Sequence, residues 1–434
     1  MTGPTIKSIT HCRICDSLEI ESTFDLAATP PGDLFFPTKQ QAVSAEKYPL
    51  RVAICTNCGY LHLHDVLDPM LSYSNYVYRS SITVGLRRQF ESLVDDVIKY
   101  CALPRGSLVV DLGSNDGTMM EVFKARQMVP VGVEPSKRLA AESTKNGLDV
   151  YNTYFDDECV GKIIEKYGKA SVITASYMYA NIDDLVEFTL NTKALLKRDG
   201  VFVIQTGYHP VQFNNFCFDY IYHEHFSYFS VHTIRRLLGR CGLEVIHVET
   251  ISLKGGSLRV YAKRTDGKWK VDNSINVMEN SEIANQVGLP GRYKEFSGAL
   301  LSKKQILLDL LKQAKQNGFS IVGYGASHST TTLVHHFEIG QYLNYIVDDN
   351  EGKINSYSPG FGLEVKTPNA LYEDTPEYVV ILAWQHSSTI LERSRELFRH
   401  GTKMILPLPT LRILTRYDDI QIQDGDLTEA CDYE

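Results

Sequence analysis

Apolar runs of strand length, each followed by a helix-like pattern, recur through the middle of the chain. They read "SLVVDL" at 107–112, "VPVGV" at 129–133, "ASVITAS" at 170–176 and "GVFVIQTG" at 200–207. Turns with glycine, and segments in which apolar residues recur every three or four positions, separate them. This alternation predicts a doubly wound parallel β-sheet with helices on both faces, an α/β fold.

Two further regions flank this central unit. The first 70 or so residues are rich in proline and turn signals, and the stretch 244–264 reads as antiparallel strands that close the central unit. After a polar connection and an amphipathic run at about 298–316, the strand, turn and helix pattern begins again. We therefore predict three domains, at 1–72, 73–265 and 266–434.

Composition and charge narrow the class of partner. The chain has 434 residues, is 43% hydrophobic and carries a formal net charge of −8. This charge disfavours nucleic acid or an anionic membrane held by bulk charge. No run approaches the roughly 20 apolar residues of a membrane span, and the N-terminus lacks a signal-peptide core. We expect a cytoplasmic protein with neither a nucleic-acid nor a membrane partner.

Four of the nine cysteines form two C-x-x-C pairs, and the odd total with a scattered remainder fits free thiols better than disulfides. Two such turns can present four thiolates to one tetrahedral Zn²⁺, which leaves no open position for catalysis. His62 and His64 are possible substitute ligands, and four free thiols are the alternative. Neither pair follows a strand at a helix start, as a redox pair would. The predicted ligands are Cys12, Cys15, Cys55 and Cys58.

A first glycine turn follows the run at 107–112. Gly113 and Gly117 have a spacing that matches neither the dinucleotide fingerprint nor a P-loop. Glu134 ends the next strand, where a carboxylate can accept hydrogen bonds from ribose hydroxyls. The pattern resembles class I S-adenosylmethionine-dependent methyltransferases, with a dinucleotide site or an ordinary turn as alternatives. The predicted cofactor residues are Asp111, Gly113, Asn115, Asp116, Glu134 and Phe155.

A second glycine turn lies in "IVGYGASHST" at 321–330. Small and hydroxyl residues at a helix start suit a diphosphate, because free N–H groups and the helix dipole favour an anion there. Asp348 follows the next strand, where nucleotide-binding α/β domains often keep an acid. A structural turn is the alternative. A second nucleotide-like site suggests a methyl donor in one domain and an activated substrate in the other.

The stretch "DYIYHEHFSYFS" at 219–230 concentrates tyrosines, two histidines and a carboxylate. It could be a metal site, an acid–base site or packed aromatic structure, and no third metal ligand is evident nearby. Strict strand alternation would put Glu224 and His225 on opposite faces. If both face a substrate, a loop or bulge is expected here.

The combined motifs resemble the sugar 3-C-methyltransferases that act on nucleotide-linked 4-keto-6-deoxy sugars. They include "YVYRSS" at 76–81, "DLGSNDGT", "FDYIYHEHFSYFS", "KGGSLRVY", "GYGAS", "VDDN" and "ILAW", with the cysteine motifs of the first domain. The resemblance covers nearly the whole chain. It implies an N-terminal zinc domain, a central class I methyltransferase domain and a C-terminal Rossmann-like domain that together enclose a dTDP- or GDP-linked sugar.

The resemblance also implies roles for individual residues. His225 is the predicted base that removes the C3 proton, and Tyr222 and Glu224 orient the base or the sugar. Tyr76 is predicted as a further catalytic residue. Tyr76 and Tyr78 would close over the sugar. The predicted substrate-binding residues are Tyr78, Lys254, Tyr324, Gly325, Ser327, His328 and Asp348.

The chain departs from the family pattern at four places. Asn181 stands where a histidine is usual, which leaves His225 as the main candidate base. Lys254 replaces a histidine, Gln205 replaces a common glutamate, and "GASHSTTT" replaces the frequent "GAPAKGNT". The alternatives to a sugar C-methyltransferase are an O- or N-methyltransferase of a small natural product and a non-catalytic sugar-nucleotide-binding protein. We expect a monomer or a weak homo-oligomer.

Overall fold

The structure, a computed structural model, describes residues 6–68, 80 and 85–417. Tyr76 and Tyr78, which the sequence places over the substrate, lie outside these residues. Within the described ranges, no helix combines the length and the apolar character needed to cross a membrane.

The N-terminal region consists of short strands and one helix. Its elements are β1 (Ile6–Ser8), β2 (Ile20–Thr29), α1 (Lys39–Val43), β3 (Tyr48–Cys55), β4 (Leu61–Leu63) and β5 (Asp65–Leu67). Strands β2, β3 and β4 pair antiparallel, while β1 pairs separately with β5. On β3, Arg51 is exposed, whereas Leu50 and every residue from Val52 to Cys55 are buried, so both faces of the strand are covered beyond Arg51.

The central region alternates strands and helices, as its sequence pattern predicts. Its elements are α2 (Leu86–Tyr100), β6 (Leu108–Leu112), α3 (Thr118–Ala125), β7 (Val129–Val133), α4 (Lys137–Lys145), β8 (Asp149–Tyr151), α5 (Asp157–Tyr167), β9 (Ala170–Ser176), α6 (Leu185–Leu195), β10 (Leu196–Gly207), α7 (His209–Asn214), β11 (Ser227–Tyr228), α8 (Val231–Arg240), β12 (Leu243–Ile251) and β13 (Ser257–Arg264). Seven strands form one sheet in the order β12-β13-β10-β9-β6-β7-β8. The strands from β10 to β8 are parallel, and β12 and β13 add an antiparallel edge.

This topology confirms the predicted α/β class and the antiparallel closure. The loops after β6, β7 and β9 leave the same edge of the sheet, because the carboxyl ends of parallel strands lie together. That edge carries the first glycine turn.

The C-terminal region repeats the α/β pattern. Its elements are α9 (Ser274–Ala284), α10 (Pro290–Gln316), β14 (Ile321–Tyr324), α11 (His328–His336), β15 (Ile346–Val347), β16 (Val365–Lys366), α12 (Ala370–Glu373), β17 (Tyr378–Ile381), α13 (Ser387–Arg393), α14 (Arg395–Arg399), β18 (Lys403–Leu406) and β19 (Arg412–Leu414). The six-stranded sheet has the order β16-β15-β14-β17-β18-β19 and is parallel except for β19.

The polar stretch at 266–282, predicted as a connection, instead contains most of helix α9. Glu282 in its last turn accepts hydrogen bonds from the backbone N–H groups of Val231 and His232 at the start of α8. This buried carboxylate satisfies two of the free donors at a helix N-terminus. The helix therefore forms through tertiary contact rather than through an amphipathic sequence.

Residues 217–226, here called the junction loop, lie where the three regions meet. Phe218, Ile221 and Phe226 of this loop belong to one continuous apolar core that also takes in the N-terminal sheet and the C-terminal sheet. Strand β11, immediately after the loop, pairs with β4, so the N-terminal sheet gains a strand from the central region. The two outer regions consequently share a core and do not pack as separate units.

The turn before α10 packs closely against the N-terminal region. A Cβ at Gly288 would lie 3.2 Å from the Cα of Gly59, and Gly288 has a φ of +89°. We expect Gly288→Ala to lower the free energy of unfolding by about 1–2 kcal/mol from backbone strain alone. Gly298→Ala, at an open position inside α10, should be neutral or stabilising by up to about 1 kcal/mol. Urea denaturation of both variants provides the measurement, and equal stabilities would contradict the close approach.

Candidate functional site

The junction loop turns back on itself and so brings together two side chains that a strand would separate. The backbone N–H of His225 donates to the carbonyl of Tyr222 at 2.9 Å, which closes a turn over residues 222–225. The Tyr222 hydroxyl lies 2.9 Å from Nε2 of His225, and the two rings are 4.0 Å apart. The loop expected from the sequence is thus present.

Hydrogen bonds define the protonation state of His225. Its Nδ1 lies 2.9 Å from the carbonyl oxygen of Tyr220, which can only accept, so Nδ1 carries the proton. Nε2 is left as an acceptor for the Tyr222 hydroxyl. Burial lowers the pKa of His225 to about 3, and the positive charge of Lys254 acts in the same direction. The imidazole is therefore neutral at physiological pH, with its basic nitrogen facing Tyr222.

The other two charged or titratable residues of the turn point elsewhere. His223 is buried against the N-terminal sheet, where Nε2 lies 3.3 Å from the carbonyl of Tyr48 and burial lowers its pKa. Glu224 is also buried, and its Oε2 has no hydrogen-bond partner in the part of the chain that the structure describes. A buried carboxylate oxygen without a donor is costly unless a ligand supplies one. His223 thus packs, while Glu224 is poised to accept a hydrogen bond.

A chain of charged groups connects the junction loop to the other regions. Nε2 of His328 is 4.0 Å from Glu224, and its Nδ1 is 3.7 Å from Asp33 of the N-terminal region. The same Asp33 oxygen accepts from Lys353 at 2.5 Å. Burial opposes ionisation of Asp33, but His328 and Lys353 together lower its pKa. His328 therefore lies between two carboxylates that different regions contribute.

The second glycine turn is largely occupied by its own hydrogen bonds. Ser327 caps α11 by accepting from the N–H of Thr330, and Asp348 accepts from the N–H groups of Ala326 and Asn350. A Cβ at Gly325 would come within 2.5 Å of Ala383, so the glycine allows close packing of two turns. Tyr324 is buried next to them. The predicted substrate residues of this domain are thus adjacent, and His328 extends from them to the junction loop.

Lys254 approaches the junction loop from the turn between β12 and β13. Its Nζ lies 3.9 Å from the ring centroid of Tyr177, which directly follows β9. Both residues have positive φ angles, 51° and 55°, which are uncommon outside glycine. Asn181, a few residues after Tyr177, follows Ala180, whose carbonyl accepts from the N–H of Phe226.

The first glycine turn forms a cradle at the carboxyl edge of the central sheet. Gly113 and Asn115 have φ angles of 69° and 52°. A Cβ at Gly113 would lie 3.0 Å from the side chain of Met178, so this position has room for little more than glycine. The Glu134 carboxylate accepts from the N–H groups of Asn115 and Ser136, and burial raises its pKa. Glu134 thus lies directly after β7, beside the first glycine turn.

The remaining predicted cofactor residues are Asp111, Asp116 and Phe155. Asp111 is buried and accepts from the hydroxyl of Thr174 on the neighbouring strand, and burial raises its pKa to about 7. Asp116 accepts from both the N–H and the hydroxyl of Thr118 at the start of α3. Phe155 is half-buried against Phe188.

The four cysteines of the two C-x-x-C pairs come together at the junction of the N-terminal and central regions, with all sulfur atoms within 4.8 Å of one another. Cys12 and Cys58 are 3.6 Å apart, and Cys15 and Cys55 are 3.7 Å apart. Four thiolates around zinc at about 2.3 Å would be about 3.8 Å apart, so the spacing fits the ion. Hydrogen bonding to Cys12 and burial raise the pKa of the Cys58 thiol, and a bound cation would offset this.

Arg13, inside the first cysteine pair, links the cluster to the junction loop. Its buried guanidinium donates to the carbonyl of Phe226 at 3.4 Å and to Asp183 and the carbonyl of Ile182. No role of Arg13, Asp33, Lys353 or Tyr177 is predicted from the sequence. The position of Arg13 between two metal-ligand cysteines is the sequence signal that could have indicated it.

Comparisons with known proteins cover the three regions in turn. Residues 12–73 match a model described as a zinc binding domain, and residues 86–248 match one described as a methyltransferase domain. Residues 252–409 match one described as a C-methyltransferase C-terminal domain. The C-methyltransferase NovU of Streptomyces niveus is 27% identical over 411 residues, covering 94% of this chain and 98% of the relative.

These matches support a family of C-methyltransferases with an N-terminal zinc-binding domain. The chain is an S-adenosylmethionine-dependent methyltransferase that carries structural zinc. Two similar solved structures are a magnesium protoporphyrin IX methyltransferase from Synechocystis (TM-score 0.31, 15% identity, 42% of this chain and 80% of that one) and a didemethyltoxoflavin N1-methyltransferase from Burkholderia thailandensis (TM-score 0.34, 13% identity, 45% and 85%).

The residues of this chain fit both S-adenosylmethionine and zinc. Gly113 leaves a cradle beside Met178 that a side chain would fill, and the adjacent Glu134 carboxylate retains lone pairs for ribose hydroxyls. When bound, S-adenosylmethionine supplies an electrophilic methyl group. The closed set of four thiols, with three of them buried, fits zinc in a structural role.

Zinc content tests the cysteine cluster. We expect one Zn²⁺ per chain by mass spectrometry, and loss of that zinc with a lower melting temperature in Cys58→Ser, because three thiolates no longer close the tetrahedron. Cys159→Ser, which changes another buried free cysteine, should keep its zinc. Equal zinc content in the two variants would contradict the assignment.

Cofactor affinity tests Glu134. We expect Glu134→Gln to weaken S-adenosylmethionine binding by about 10–100-fold, because a charge-assisted hydrogen bond contributes about 1.5–3 kcal/mol. Isothermal titration calorimetry provides the measurement. Glu158→Gln, on the exposed surface of α5, is the matched control. An unchanged Kd for Glu134→Gln would remove this residue from the cofactor site.

Proposed function

We propose that this enzyme transfers a methyl group from S-adenosylmethionine to C3 of a nucleotide-linked 4-keto-6-deoxy sugar of the dTDP or GDP series. The observation that carries the proposal is the neutral His225, whose unprotonated Nε2 faces the Tyr222 hydroxyl in the junction loop. Methylation of carbon requires a base to form a carbanion equivalent, whereas a neutral amine already has a nucleophilic lone pair. The 27% identity to a C-methyltransferase supports the same chemistry.

The proton is transferred through the Tyr222–His225 pair. The C4 ketone acidifies the C3–H bond, and the Tyr222 oxygen accepts that proton as its own hydroxyl proton moves to Nε2 of His225. The bonding electrons enter the C3–C4 bond, and the carbonyl electrons move to O4. C3 of this enolate then forms a bond to the methyl carbon, the methyl–sulfur bond breaks and the ketone is restored.

Glu224 and the C-terminal domain are the proposed contacts to the rest of the substrate. The buried Oε2 of Glu224 can accept a hydrogen bond from a sugar hydroxyl. We propose that residues 266–434 bind the nucleotide part through the residues predicted from the sequence, together with Tyr76 and Tyr78 from the segment that precedes α2. His328 is positioned to contact the sugar, because it lies beside both Glu224 and the Tyr222 ring.

The proposal includes a location and an assembly state. We propose a cytoplasmic enzyme that acts as a monomer or a weak homo-oligomer. Methylation of oxygen or nitrogen is the second candidate class, and a non-catalytic sugar-nucleotide-binding protein is the third. The Tyr222–His225 pair favours catalysis over simple binding, and the 27% identity to a C-methyltransferase favours carbon over oxygen or nitrogen as the methyl acceptor.

Incubation with S-adenosylmethionine and keto sugars of the dTDP, GDP and CDP series tests the substrate class. We expect one series to give a product heavier by one methyl group, with the new carbon bonded to C3 in the NMR spectrum. A methyl group on oxygen or nitrogen would favour the second candidate. No product from any series would contradict the proposal.

Deuterium exchange at C3, measured in D₂O with S-adenosylhomocysteine in place of the methyl donor, tests the base separately. We expect His225→Gln and Tyr222→Phe to lower the exchange rate by about 10²–10⁴-fold, because each removes a partner in the proton transfer. The wild-type rate should persist from pH 8 to pH 5, since the lowered pKa of His225, about 3, keeps Nε2 unprotonated above that value.

Tyr228→Phe is the matched control for this experiment. The Tyr228 hydroxyl is buried and has no hydrogen-bond partner among the described residues, so its removal should leave exchange unchanged. Exchange in Tyr222→Phe at the wild-type rate would mean that His225 takes the proton directly. Exchange in His225→Gln at the wild-type rate would remove His225 from the base role.

A further inference from the structure

Lys254 carries a positive charge between the junction loop and the carboxyl edge of the central sheet. That edge bears the first glycine turn and is here called the cofactor edge. The backbone at Lys254 adopts a left-handed conformation that a lysine rarely takes, with a φ of 51° and a ψ of 41°. Hydrogen bonds hold it there: Gln212 donates to the carbonyl of Lys254 and Asn215 donates to the carbonyl of Gly255. Strain that the surroundings maintain is common at functional sites.

The ammonium group of Lys254 is held over an aromatic ring that belongs to the cofactor edge. Its Nζ is 3.9 Å from the ring centroid of Tyr177, and the Tyr177 hydroxyl is 3.1 Å from that of Ser257. Tyr177 itself has a positive φ, and its neighbour Met178 touches the cradle at Gly113. One side of Lys254 is therefore beside the place where the methyl donor binds.

The backbone next to Lys254 packs against the start of the junction loop. A Cβ at the adjacent Gly255 would lie 2.4 Å from the sulfur of Cys217 and 3.6 Å from Oε1 of Gln385. Gln385 accepts from the hydroxyl of Tyr220, whose carbonyl fixes the tautomer of His225. The charge of Lys254 also contributes to the lowered pKa of His225, as proximity requires.

We propose that Lys254 is a catalytic residue for the proposed C3 methylation, and that its ammonium group donates a hydrogen bond to O4 of the 4-keto sugar as negative charge develops there. As the C3 proton leaves for the Tyr222–His225 pair, the carbonyl electrons move to O4, which becomes an enolate oxygen opposite a fixed positive charge. When C3 bonds to the methyl carbon, those electrons return and O4 is again a ketone oxygen. Lys254 keeps its proton throughout.

This role rests on the proposed function and is chemically distinct from binding the nucleotide. A donor aimed at developing charge stabilises the transition state more than the ground state, so its loss lowers turnover rather than substrate affinity. A lysine that contacted a phosphate would instead change the Kd of the nucleotide. The two roles therefore give opposite patterns in one set of measurements.

The experiment measures C3 deuterium exchange with S-adenosylhomocysteine, methyl transfer with S-adenosylmethionine, and the Kd of the unmodified nucleoside diphosphate. We expect Lys254→Met to lower exchange and methyl transfer together by about 10²–10³-fold, as removal of an oxyanion donor does. The nucleotide Kd should change less than about 3-fold. Lys254→Arg should recover part of the lost rate because it retains a charged donor.

Two further variants separate chemistry from folding. Lys254→Asn removes the ammonium group but tolerates a positive φ, so it should fold normally and lose as much activity as Lys254→Met. Tyr177→Leu should cause a smaller loss, about 3–30-fold, because the cation–π contact contributes about 0.5–2 kcal/mol. Lys366→Met is the matched control, since this lysine lies 4.6 Å from the Tyr345 ring in the C-terminal sheet.

Each outcome bears on a different claim. Wild-type exchange in both Lys254→Met and Lys254→Asn would overturn the role of Lys254 and leave the proposed function intact. A raised nucleotide Kd with unchanged exchange would make Lys254 a phosphate contact and also overturn it. A wild-type enzyme that neither exchanges nor methylates any keto sugar would overturn the proposed function itself.

Discussion

The geometry of this site depends on a neutral imidazole held between two oxygen partners. The carbonyl of Tyr220 requires a proton on Nδ1 of His225, and the opposite nitrogen then has a lone pair for the Tyr222 hydroxyl. Burial penalises the charged imidazolium, so the basic form persists at neutral pH. The turn over residues 222–225 is what allows this pairing, because an extended chain would separate the two side chains.

Both outer domains contribute to holding that turn. Arg13, between two zinc-ligand cysteines, donates to the carbonyl of Phe226, and strand β11 joins the N-terminal sheet one residue later. Thr332 of α11 donates to the carbonyl of Ile221 from the opposite side. The cysteine cluster is thus connected to the junction loop through Arg13, which lies between two of its thiols.

Charge at the interface of the domains is balanced locally. Asp33 from the N-terminal region neutralises Lys353 from the C-terminal region and approaches His328, which in turn approaches Glu224. A buried carboxylate between two basic groups is stabilised, whereas loss of either partner would leave charge buried without compensation. Ser327 and Asp348 already accept hydrogen bonds from backbone N–H groups of the second glycine turn. The groups beside this turn that remain able to bind a ligand are therefore chiefly side chains such as His328.

The sequence by itself determined the α/β class, the two cysteine pairs and the first glycine turn with its neighbouring acid, because each depends on local chemistry. The alternation of strand and helix patterns predicts the sheets, and each C-x-x-C turn presents two thiols together. Strands β6 and β7 are parallel neighbours, so the acid that ends β7 lies beside the first glycine turn.

Only the tertiary structure decided which distant residues meet. Asp33 and His328 are nearly 300 positions apart, and the Lys254–Tyr177 contact joins two unrelated turns. Helix α9 forms where the sequence shows no amphipathic pattern, since Glu282 finds its donors on α8. Such contacts depend on how the domains share a core, and no local periodicity encodes that arrangement.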